Sequence, residues 1–523
     1  MPVNIDKVNA AYAKVTWDKL SSEPQSSPIA LLNNSFMFYA DNFLYDPRYK
    51  DGIWDGKIRL FKTSTGLLPS GLVPRAATIL KGAGFAVRIG STMHDMFKSD
   101  ITDDDIKRFV GRITTDMHGI IPYDHQKRIL SFAMKRKRVL LESPTGSGKS
   151  LGIYMTIRMF LDKFRDSNTS VLIVVPSKQL VEQMFKDFKD YKWKAAPRLV
   201  GRVYGETDAT QSSYKVVVST YQSINSMIER GDKGWLSRFN MVIVDEAHQA
   251  KSLSIQNILT AMPNAEYRIG LTGTVPLSDM ASHTIMGSIG PKIVVTTIRE
   301  LIDIGVLTDL EVVHIPVSYS AAAASVMRHV SFETECKATE KCGSRERIIE
   351  SIIESGEVKD GQNTLVLVNR IKSLDSLSEW LAKKYGSRFI IMTISGSLAN
   401  KAREKIRADI EKSSNVILVA TYGTMSTGIN IKKLHNVVLA SSSKSYTRVI
   451  QSVGRGLRLH STKDKVKIFD IHDNIIDKGK SKWMSFTCKH WYERLKFYEM
   501  QGFNIRDYTI DDVFDIAEAD LTD

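Results

Sequence analysis

The segment from Ser143 to Ser150 reads Ser-Pro-Thr-Gly-Ser-Gly-Lys-Ser, which has the residue types of a phosphate-binding loop. It follows an apolar stretch, Arg138 to Glu142, that has the pattern of a buried strand, and a helical pattern comes after it. Strand, glycine-rich loop and helix in this order are what a phosphate loop requires. Ser143 stands where the usual pattern has its first glycine.

The last five residues of this loop have separate expected roles. Gly146, Ser147 and Gly148 present backbone N–H groups to phosphate oxygens. Lys149 is expected to contact the β- and γ-phosphates of a nucleotide, and Ser150 to ligate Mg²⁺ through its hydroxyl. The sequence therefore predicts a nucleotide-binding site.

A second acidic motif, Asp245-Glu-Ala-His248, follows the apolar stretch Met241 to Val244. Carboxylates at the carboxyl end of a buried strand can face a phosphate loop on a neighbouring strand. Asp245 is expected to hold Mg²⁺, and Glu246 to orient and deprotonate the attacking water. Together the two motifs predict an enzyme that hydrolyses nucleoside triphosphates, without saying what the hydrolysis drives.

The composition limits the class of protein. The chain has 523 residues, 72 Lys plus Arg and 58 Asp plus Glu, and its net charge of +14 favours a polyanionic partner such as nucleic acid. Its three cysteines are too few for a disulfide framework. No apolar run approaches the roughly 18 residues that a membrane span needs. We expect a globular, soluble, cytoplasmic protein without a membrane partner.

Two sets of short apolar strand patterns alternate with helical patterns, which predicts α/β units with parallel sheets. The first set is 138–142, 170–175, 215–219 and 241–244; the second is 364–368, 389–394, 416–420, 436–440 and 467–471. We expect a small N-terminal α+β domain over 1–105 that binds DNA as an accessory, α/β domains over 106–290 and 291–475, and a short helical extension over 476–523. The acidic end of this extension is expected to pack loosely.

These residues resemble the superfamily 2 helicases and translocases, over about residues 120 to 460. The resemblance implies two tandem RecA-like domains. It also implies that Tyr123 and Gln126 recognise adenine. In Leu271-Thr-Gly-Thr274, Thr272 and Thr274 would couple hydrolysis to domain movement, together with His248.

The second half carries the partner motifs of the same resemblance. Gly428, in the segment Ala420 to Asn430, would contact the nucleotide. Gln451, Arg455 and Arg458 lie in the segment that matches the arginine-finger motif, and the arginines would reach the γ-phosphate when the cleft closes. Hydroxyl-bearing loop residues suit contacts to the nucleic acid backbone. The candidates for such contacts are Ser177, Thr220, Tyr221, Ser397, Thr421 and Thr427.

The N-terminal segments Asp46 to Leu60 and Leu67 to Leu72 are similar to the amino-terminal domain of UvsW-type phage recombination helicases. That resemblance implies an ATP- and Mg²⁺-dependent DNA helicase that migrates Holliday junctions, regresses forks and dissociates R-loops in phage recombination, repair and replication. The expected partners are branched or single-stranded DNA, with RNA–DNA hybrid as a further candidate. The expected form is a monomer or weak oligomer in the host cytoplasm.

Several alternatives remain open on the sequence. The chain could instead be an RNA helicase, a duplex translocase that leaves the strands paired, or the motor subunit of a restriction system. A nucleic-acid-binding scaffold without hydrolysis is a further class. The complete set of Lys149, Asp245, Glu246, Arg455 and Arg458 argues against the scaffold.

Overall fold

A computed structural model of the chain describes residues 2–17, 27–40, 43–165, 168–205, 214–248, 253–273, 278–396, 398, 400–426, 431–443, 460–476 and 483–521. The chain divides into two compact units, Met1–Thr296 and Thr297–Asp523. Within the described residues, no helix is both long enough and apolar enough to cross a bilayer.

The first unit begins with a small α+β region. Its strands are β1 (Val3–Lys7), β2 (Tyr12–Thr16), β3 (Met37–Tyr39), β4 (Lys57–Arg59), β5 (Leu67–Pro69) and β6 (Val87–Ile89), and its helices are α1 (Pro28–Ser35), α2 (Pro47–Lys50), α3 (Val73–Gly82) and α4 (Ser91–His94). The order β5-β2-β1-β6 forms a mixed sheet, and β3 and β4 form a separate antiparallel pair. The strands are short and half-buried, so the sheet presents one apolar face to its helices.

The rest of the first unit is a parallel sheet with the order β13-β7-β12-β11-β8-β10-β9 among the described residues. Its strands are β7 (Arg138–Glu142), β8 (Val171–Val175), β9 (Val200–Val203), β10 (Val216–Thr220), β11 (Met241–Val244), β12 (Tyr267–Thr272) and β13 (Lys292–Val294). Its helices are α5 (Asp103–Asp116), α6 (Asp124–Arg136), α7 (Lys149–Lys163), α8 (Lys178–Asp190), α9 (Ala196–Leu199), α10 (Tyr221–Glu229), α11 (Lys233–Leu236), α12 (Leu253–Thr260) and α13 (Asp279–Ser288).

The central strands are apolar along their whole length because helices cover both faces of the sheet. All five residues of β8 are buried, and so are the residues of β11. The side chains divide into two cores, one on each face of the sheet. This arrangement places the carboxyl ends of β7, β11 and β12 side by side, where the sequence motifs follow.

The α+β region packs closely on this parallel-sheet region. A short 3-10 turn, Ser70–Leu72, lies against α13, and a Cβ added to Gly71 would come within 1.9 Å of the carbonyl oxygen of Met286. A Cβ on Gly287 would lie 3.0 Å from Pro69. Backbone therefore meets backbone at this contact, and any side chain at position 71 would force the two regions apart.

The second unit contains a parallel sheet with the order β16-β17-β15-β18-β19-β14-β20. Its strands are β14 (Asp309–Tyr319), β15 (Thr364–Val368), β16 (Ile390–Ile394), β17 (Val416–Thr421), β18 (Asn436–Leu439), β19 (Lys465–Asn474), β20 (Asn504–Asp507) and β21 (Val513–Phe514). Its helices are α14 (Ile298–Asp303), α15 (Ala321–Met327), α16 (Phe332–Lys341), α17 (Ser344–Glu354), α18 (Ile371–Tyr385), α19 (Asn400–Lys412), α20 (Tyr422–Ser426) and α21 (Phe486–Met500).

The C-terminal extension is more ordered than the sequence indicates. After α21, the chain adds β20 and β21 to β14 as parallel neighbours. Ile510 and Ile516 are buried at 8% and 2% exposure. The expectation of a loosely packed acidic tail is wrong, because these few apolar residues and backbone hydrogen bonds hold it on the sheet edge.

Candidate functional site

The phosphate loop connects the end of β7 to the start of α7. Gly146 and Gly148 have φ values of 89° and 75°, a conformation that favours glycine. A Cβ on Gly148 would also lie 2.3 Å from Nε2 of Gln126, so a side chain is excluded there by space as well. The hydroxyls of Ser143 and Ser147 are buried and lie 2.7 Å apart. Ser143 therefore braces the loop from the position where glycine is usual.

Lys149 begins α7, and its Nζ donates to the carbonyl oxygen of Ser143 at 3.2 Å. The neighbouring strand β12 supports the same loop, because the N–H of Ser143 donates to the carbonyl oxygen of Thr272 at 2.9 Å. A Cβ on Gly273 would come within 3.2 Å of Oγ1 of Thr145 and 3.9 Å of Nζ of Lys149. The Thr272-Gly273 turn therefore lies directly beside the phosphate loop.

Helix α6 holds the loop from the other side through Gln126 and His125. Nε2 of Gln126 donates to the carbonyl oxygens of Ser147 at 3.0 Å and Gly148 at 3.4 Å, and its Oε1 accepts from the N–H of Tyr123 at 3.0 Å. Nε2 of His125 lies 2.7 Å from the Ser147 carbonyl oxygen. In this structure the amide of Gln126 braces the loop, and its recognition of adenine stays a prediction.

Tyr123 is 51% exposed, and its ring stacks on that of His125 with centroids 5.6 Å apart. An exposed aromatic ring next to the loop is suited to packing on a flat base. His125 lies between this ring and the carbonyl of Ser147, so it connects the exposed aromatic surface to the loop.

Ser150, in the first turn of α7, is hydrogen-bonded by helix α8. Its Oγ lies 3.0 Å from the hydroxyl of Tyr191, and the carboxyl of Asp187 also hydrogen-bonds to it. Burial, more than any other cause, raises the pKa of Asp187 and raises the pKa of Tyr191 to about 12. Ser150 is therefore oriented by two partly buried oxygen groups that the sequence motifs do not include.

Asp245 and Glu246 follow β11 at the carboxyl edge of the sheet. The N–H of Glu246 donates to Oδ1 of Asp245 at 3.0 Å, and Glu246 adopts a φ of 52°, an uncommon conformation for a residue with a side chain. Burial and the adjacent Glu246 raise the pKa of Asp245, whereas Lys149 opposes that shift. Two carboxylates held together near an ammonium group form a site whose chemistry suits a divalent cation.

His248 links this acidic pair to β12. Its Nδ1 lies 3.4 Å from Oε2 of Glu246 and 3.3 Å from Oγ1 of Thr272, which is buried. The proposed coupling residues His248 and Thr272 are thus in contact, with His248 beside the Glu246 carboxylate and Thr272 beside the phosphate loop. Thr274 lies outside the described residues.

A groove of about 530 Å³ opens at the amino ends of α8 and α10. Ser177 caps α8 by accepting from the N–H of Leu180 at 3.3 Å, and Thr220 caps α10 by accepting from the N–H of Ser223 at 3.3 Å. The polar side chains that line it are Ser177, Lys178, Thr220, Gln222, Ser223 and Ser226. Tyr221 opens α10 but does not line this groove.

Fewer of the predicted residues in the second unit can be located. Thr421 ends β17, and its Oγ1 lies 2.7 Å from Oγ1 of Thr424 at the start of α20. A Cβ on Gly396 would lie 4.0 Å from the same Thr424 atom, so the loops after β16 and β17 adjoin. The predicted residues that lie outside the described ones are Ser397, Thr427, Gly428, Gln451, Arg455 and Arg458.

Sequence reasoning missed three residues that contact the candidate nucleotide site: His125, Tyr191 and Asp187. His125 stands beside Gln126 in the same short motif, so its position was a usable signal. Tyr191 and Asp187 lie about 40 residues after Ser150, at the far end of an ordinary amphipathic helix. Nothing in their local sequence distinguishes them from core and surface residues.

Three known families match successive parts of the chain. Residues 14–90 match the family described as DNA helicase UvsW, N-terminal. Residues 119–277 match the type III restriction enzyme res subunit family, and residues 344–460 match the helicase conserved C-terminal domain. The matched regions follow the α+β region and the two parallel sheets in order.

Individual proteins that are similar in sequence to this chain are also helicases. The ATP-dependent DNA helicase uvsW of Enterobacteria phage T4 is 28% identical over 90% of this chain and 94% of its own length. The ATP-dependent DNA helicase Hel308 of Pyrococcus horikoshii is 27% identical, over only 28% of this chain and 21% of its own.

Solved structures support the fold. The crystal structure of T4 UvsW aligns with a TM-score of 0.50 and 24% identity, covering 98% of this chain and 99% of that one. A fragment of an HsdR subunit of a type I restriction enzyme from Vibrio vulnificus aligns with a TM-score of 0.56 and 19% identity, covering 79% and 72%. The predicted fold class, two parallel-sheet domains with a small N-terminal α+β domain, is confirmed.

Proposed function

We propose that the chain is a superfamily 2 helicase, an ATP-dependent DNA helicase that remodels branched DNA. Branch migration of Holliday junctions, fork regression and R-loop dissociation are the proposed reactions, in phage recombination, repair and replication. The observation that carries this proposal is the combination, in one chain, of the UvsW N-terminal family with both helicase families, together with similarity to the T4 helicase along nearly the whole length.

The nucleotide site supports ATP as the substrate. Lys149 can bind the γ-phosphate once it exchanges the Ser143 carbonyl for a phosphate oxygen. Glu246 is the proposed group that orients and deprotonates the attacking water, and its contact with His248 holds its carboxylate in position. Gly146, Ser147 and Gly148 supply the loop amides that bind phosphate oxygens.

The oxygen ligands at the site fit Mg²⁺, which prefers hard oxygen donors and binds through one or two protein groups plus phosphates. Ser150 and Asp245 are the proposed ligands. The raised pKa of Asp245 supports this assignment, because a nearby cation would relieve the repulsion between Asp245 and Glu246. Mg²⁺ bound there would neutralise charge on the β- and γ-phosphates.

The groove at α8 and α10 supports a nucleic acid backbone as the second ligand. Two helix amino ends and the Lys178 side chain meet at it, and both features favour phosphate groups. Most of its polar lining consists of hydroxyls, which suit backbone phosphates, so we expect binding there to depend little on base sequence. Ser177 and Thr220 are the proposed contacts, and Thr421 is the proposed contact in the second unit.

The proposed partners are branched and single-stranded DNA, with RNA–DNA hybrid as a further substrate, and the proposed form is a monomer or weak oligomer in the host cytoplasm. The roles of Gln451, Arg455 and Arg458 as residues that act on the γ-phosphate remain predictions. So do the contacts of Ser397 and Thr427 with DNA and of Gly428 with the nucleotide.

The test is steady-state ATP hydrolysis at fixed salt with five additions: no nucleic acid, single-stranded DNA, plain duplex DNA, four-way junction DNA and structured RNA. We expect the strongest stimulation with junction or single-stranded DNA. A matched Glu246→Gln chain should still bind nucleotide and should show no stimulated hydrolysis.

Other outcomes identify the alternatives. Stimulation mainly by RNA would support an RNA helicase. Stimulation by plain duplex without strand separation would support a duplex translocase. No turnover under any condition would contradict the enzyme assignment and favour a nucleic-acid-binding scaffold.

A further inference from the structure

A second cavity, of about 140 Å³, lies inside the first unit where the N-terminal α+β region meets α12 and α13. Its volume is roughly ten times what one ordered water requires. Tyr12, Arg59 and Lys62 line it from the N-terminal side, and Gln256, Arg268 and His283 line it from the other. The nucleotide loop and the groove at α8 share none of these residues.

The charge of the lining is of one sign. Arg59, Lys62 and Arg268 are basic, and no Asp or Glu is among the described residues that line the cavity. Arg59 is paired with Asp55 outside the cavity. Lys62 is exposed, and neither Lys62 nor Arg268 forms an ion pair with a carboxylate of the described residues. Apart from the pair between Arg59 and Asp55, the positive charge of the lining is therefore not neutralised by a carboxylate of the described residues.

The cavity floor contains one buried guanidinium group, that of Arg268, and a second lies behind it outside the lining. Arg268 donates only to carbonyl oxygens, those of Ala265 at 3.1 Å, Met262 at 3.0 Å and Ser288 at 3.3 Å. Arg138 lies beside it and donates to the carbonyl oxygens of Ile289 at 3.1 Å and Ser288 at 3.3 Å. Both side chains are 1% exposed.

Carbonyl oxygens satisfy the N–H groups of these arginines, and the carboxyl end of α13 contributes a partial negative charge. They do not supply a full counter-charge, which a buried cation needs. Burial accordingly lowers the pKa of Arg268 to about 9, and burial together with the neighbouring Arg268 lowers the pKa of Arg138. An anion in the cavity would supply the counter-charge that Arg268 lacks among the described residues.

His283 adds a further polar group to the floor. Its Nδ1 lies 2.6 Å from the carbonyl oxygen of Asp279, so Nδ1 carries the proton, and its ring stacks on Phe38 with centroids 4.7 Å apart. Its Nε2 is buried and has no hydrogen-bond partner among the described residues. A negative charge nearby would favour protonation of this ring and make Nε2 a donor.

We propose that this cavity binds a phosphate group, supplied either by a nucleic acid backbone or by free phosphate. A phosphate group carries negative charge on several strong acceptor oxygens. It can therefore bind cationic side chains that come from different elements at the same time. Arg59 and Lys62 stand at the exposed mouth, and Arg268 forms the floor. Bound phosphate would tie the N-terminal region to α12 and α13 from both sides.

The first experiment uses inorganic phosphate as the probe and the Lys149→Ala full-length chain as the background, so that the nucleotide loop does not respond. Thermal midpoints are measured with phosphate and with chloride at equal ionic strength. Phosphate should raise the midpoint by about 2–4 °C through preferential binding to the folded state. Lys62→Ala in the same background should remove at least half of this shift.

The control is Lys81→Ala, which removes an exposed lysine of α3 that does not line the cavity. It should leave the phosphate shift unchanged. Because Lys62 is exposed, its replacement is not expected to disturb folding, and His283→Gln provides a second variant that keeps a polar group on the floor. A phosphate shift that is equal in all of these chains would overturn the proposal.

The second experiment distinguishes the two sources. The salt dependence of binding to single-stranded and four-way junction DNA is measured for the parent and for Lys62→Ala. If the phosphate belongs to the DNA backbone, Lys62→Ala should reduce the slope of log affinity against log salt by about one unit. An unchanged slope with a lost phosphate shift identifies free phosphate as the ligand.

The DNA part of this test depends on the proposed function, whereas the phosphate titration does not. A chain that binds inorganic phosphate at Lys62 but is not stimulated by DNA would contradict the proposed function and support the cavity. Absence of both the phosphate shift and the change in slope would contradict the cavity, whatever the hydrolysis assay shows.

Discussion

In the second unit, each of two fully buried aspartates faces an arginine. Asp473 accepts from Nη1 and Nη2 of Arg345 at 2.7 and 2.8 Å, and Asp470 accepts from Nε and Nη2 of Arg494 at 3.0 and 2.7 Å. In the first unit, Asp245 instead has another carboxylate, Glu246, as its neighbour, and burial raises its pKa. The two units thus contain buried charge in opposite arrangements.

This difference in charge pairing indicates which buried charges are satisfied within the chain and which are suited to binding a ligand. A bidentate, buried arginine–carboxylate pair satisfies its own charge and needs nothing from outside. Tyrosine hydroxyls complete both pairs, from Tyr319 to Asp473 at 2.6 Å and from Tyr498 to Asp470 at 2.7 Å. The first unit instead holds charges without a bidentate partner of this kind, adjacent carboxylates at the candidate nucleotide site and the buried Arg268 at the second cavity. Such imbalance is typical of sites that a ligand completes.

The largest effect is expected on stability, when one of the buried ion pairs of the second unit is broken. Asp473→Asn would leave the guanidinium of Arg345 buried without its counter-charge. We expect the free energy of unfolding of this unit to fall by about 3–5 kcal/mol. Calorimetry of the full chain measures it, with Asp512→Asn as the control, because Asp512 forms an exposed pair with Arg347 at 2.9 Å.

The control should cost less than about 1 kcal/mol. Equal losses in the two variants would mean that the buried pair is no more important for stability than a surface pair. The contrast between the units would then be lost.

The second largest effect is expected on ATP turnover when the ammonium group of Lys149 is removed. Lys149→Ala should lower ATP turnover by about 10²- to 10³-fold, because a fixed positive charge on the transferring phosphate is removed. The thermal midpoint should fall only slightly, because Nζ of Lys149 donates to one loop carbonyl and its charge stabilises the ionised form of Asp245. Lys163→Ala, at the other end of α7, serves as the control. Turnover near the parent level would remove Lys149 from the site.

A smaller effect is expected when Asp245 is replaced: a gain in stability, in contrast to the loss expected for Asp473→Asn. Its raised pKa means that the folded chain holds this proton more tightly than the unfolded chain. That contribution to stability is present below the ordinary carboxyl pKa and is lost as the pH rises through the raised value. At pH 8 the ionised carboxylate therefore destabilises the nucleotide-free chain, and Asp245→Asn should stabilise it by about 1 kcal/mol.

The gain at Asp245 should shrink as the pH approaches 4, where the parent carboxyl is also neutral. Calorimetry at several pH values without nucleotide measures this, with Asp95→Asn as an exposed control. A loss of stability in Asp245→Asn at pH 8 would show that the carboxylate is satisfied within the chain, as in the second unit.

The smallest effect concerns the groove in the first unit. Lys178→Ala should weaken binding of single-stranded DNA a few-fold and reduce the salt slope by about one unit, because one phosphate contact is removed. Lys186→Ala, on the same helix and outside the groove, is the matched control. If the two variants behaved alike, the effect would come from general charge and not from the groove.

Much of the fold could be predicted from local patterns. The strands 138–142, 241–244 and 364–368 have the predicted bounds. They are continuous apolar stretches that can be recognised within a few residues. The eleven-residue strand β14 is absent from the predicted strands, although it lies in the domain expected over 291–475. His314 and Pro316 interrupt its apolar pattern, so its pairing with β19, β20 and β21 defines it as a strand.

The candidate site also contains parts that the sequence predicts and parts that only the structure shows. The sequence by itself determined the phosphate loop and the acidic motif, because a glycine-rich turn between strand and helix depends on contiguous residues. Only the tertiary structure decided that Gln126 holds Ser147, that His248 meets Thr272, and that Arg59 and Arg268 line one cavity. Contacts of this kind join elements that are far apart in the chain, so they follow from the packing of the sheet and its helices and leave no local pattern in the sequence.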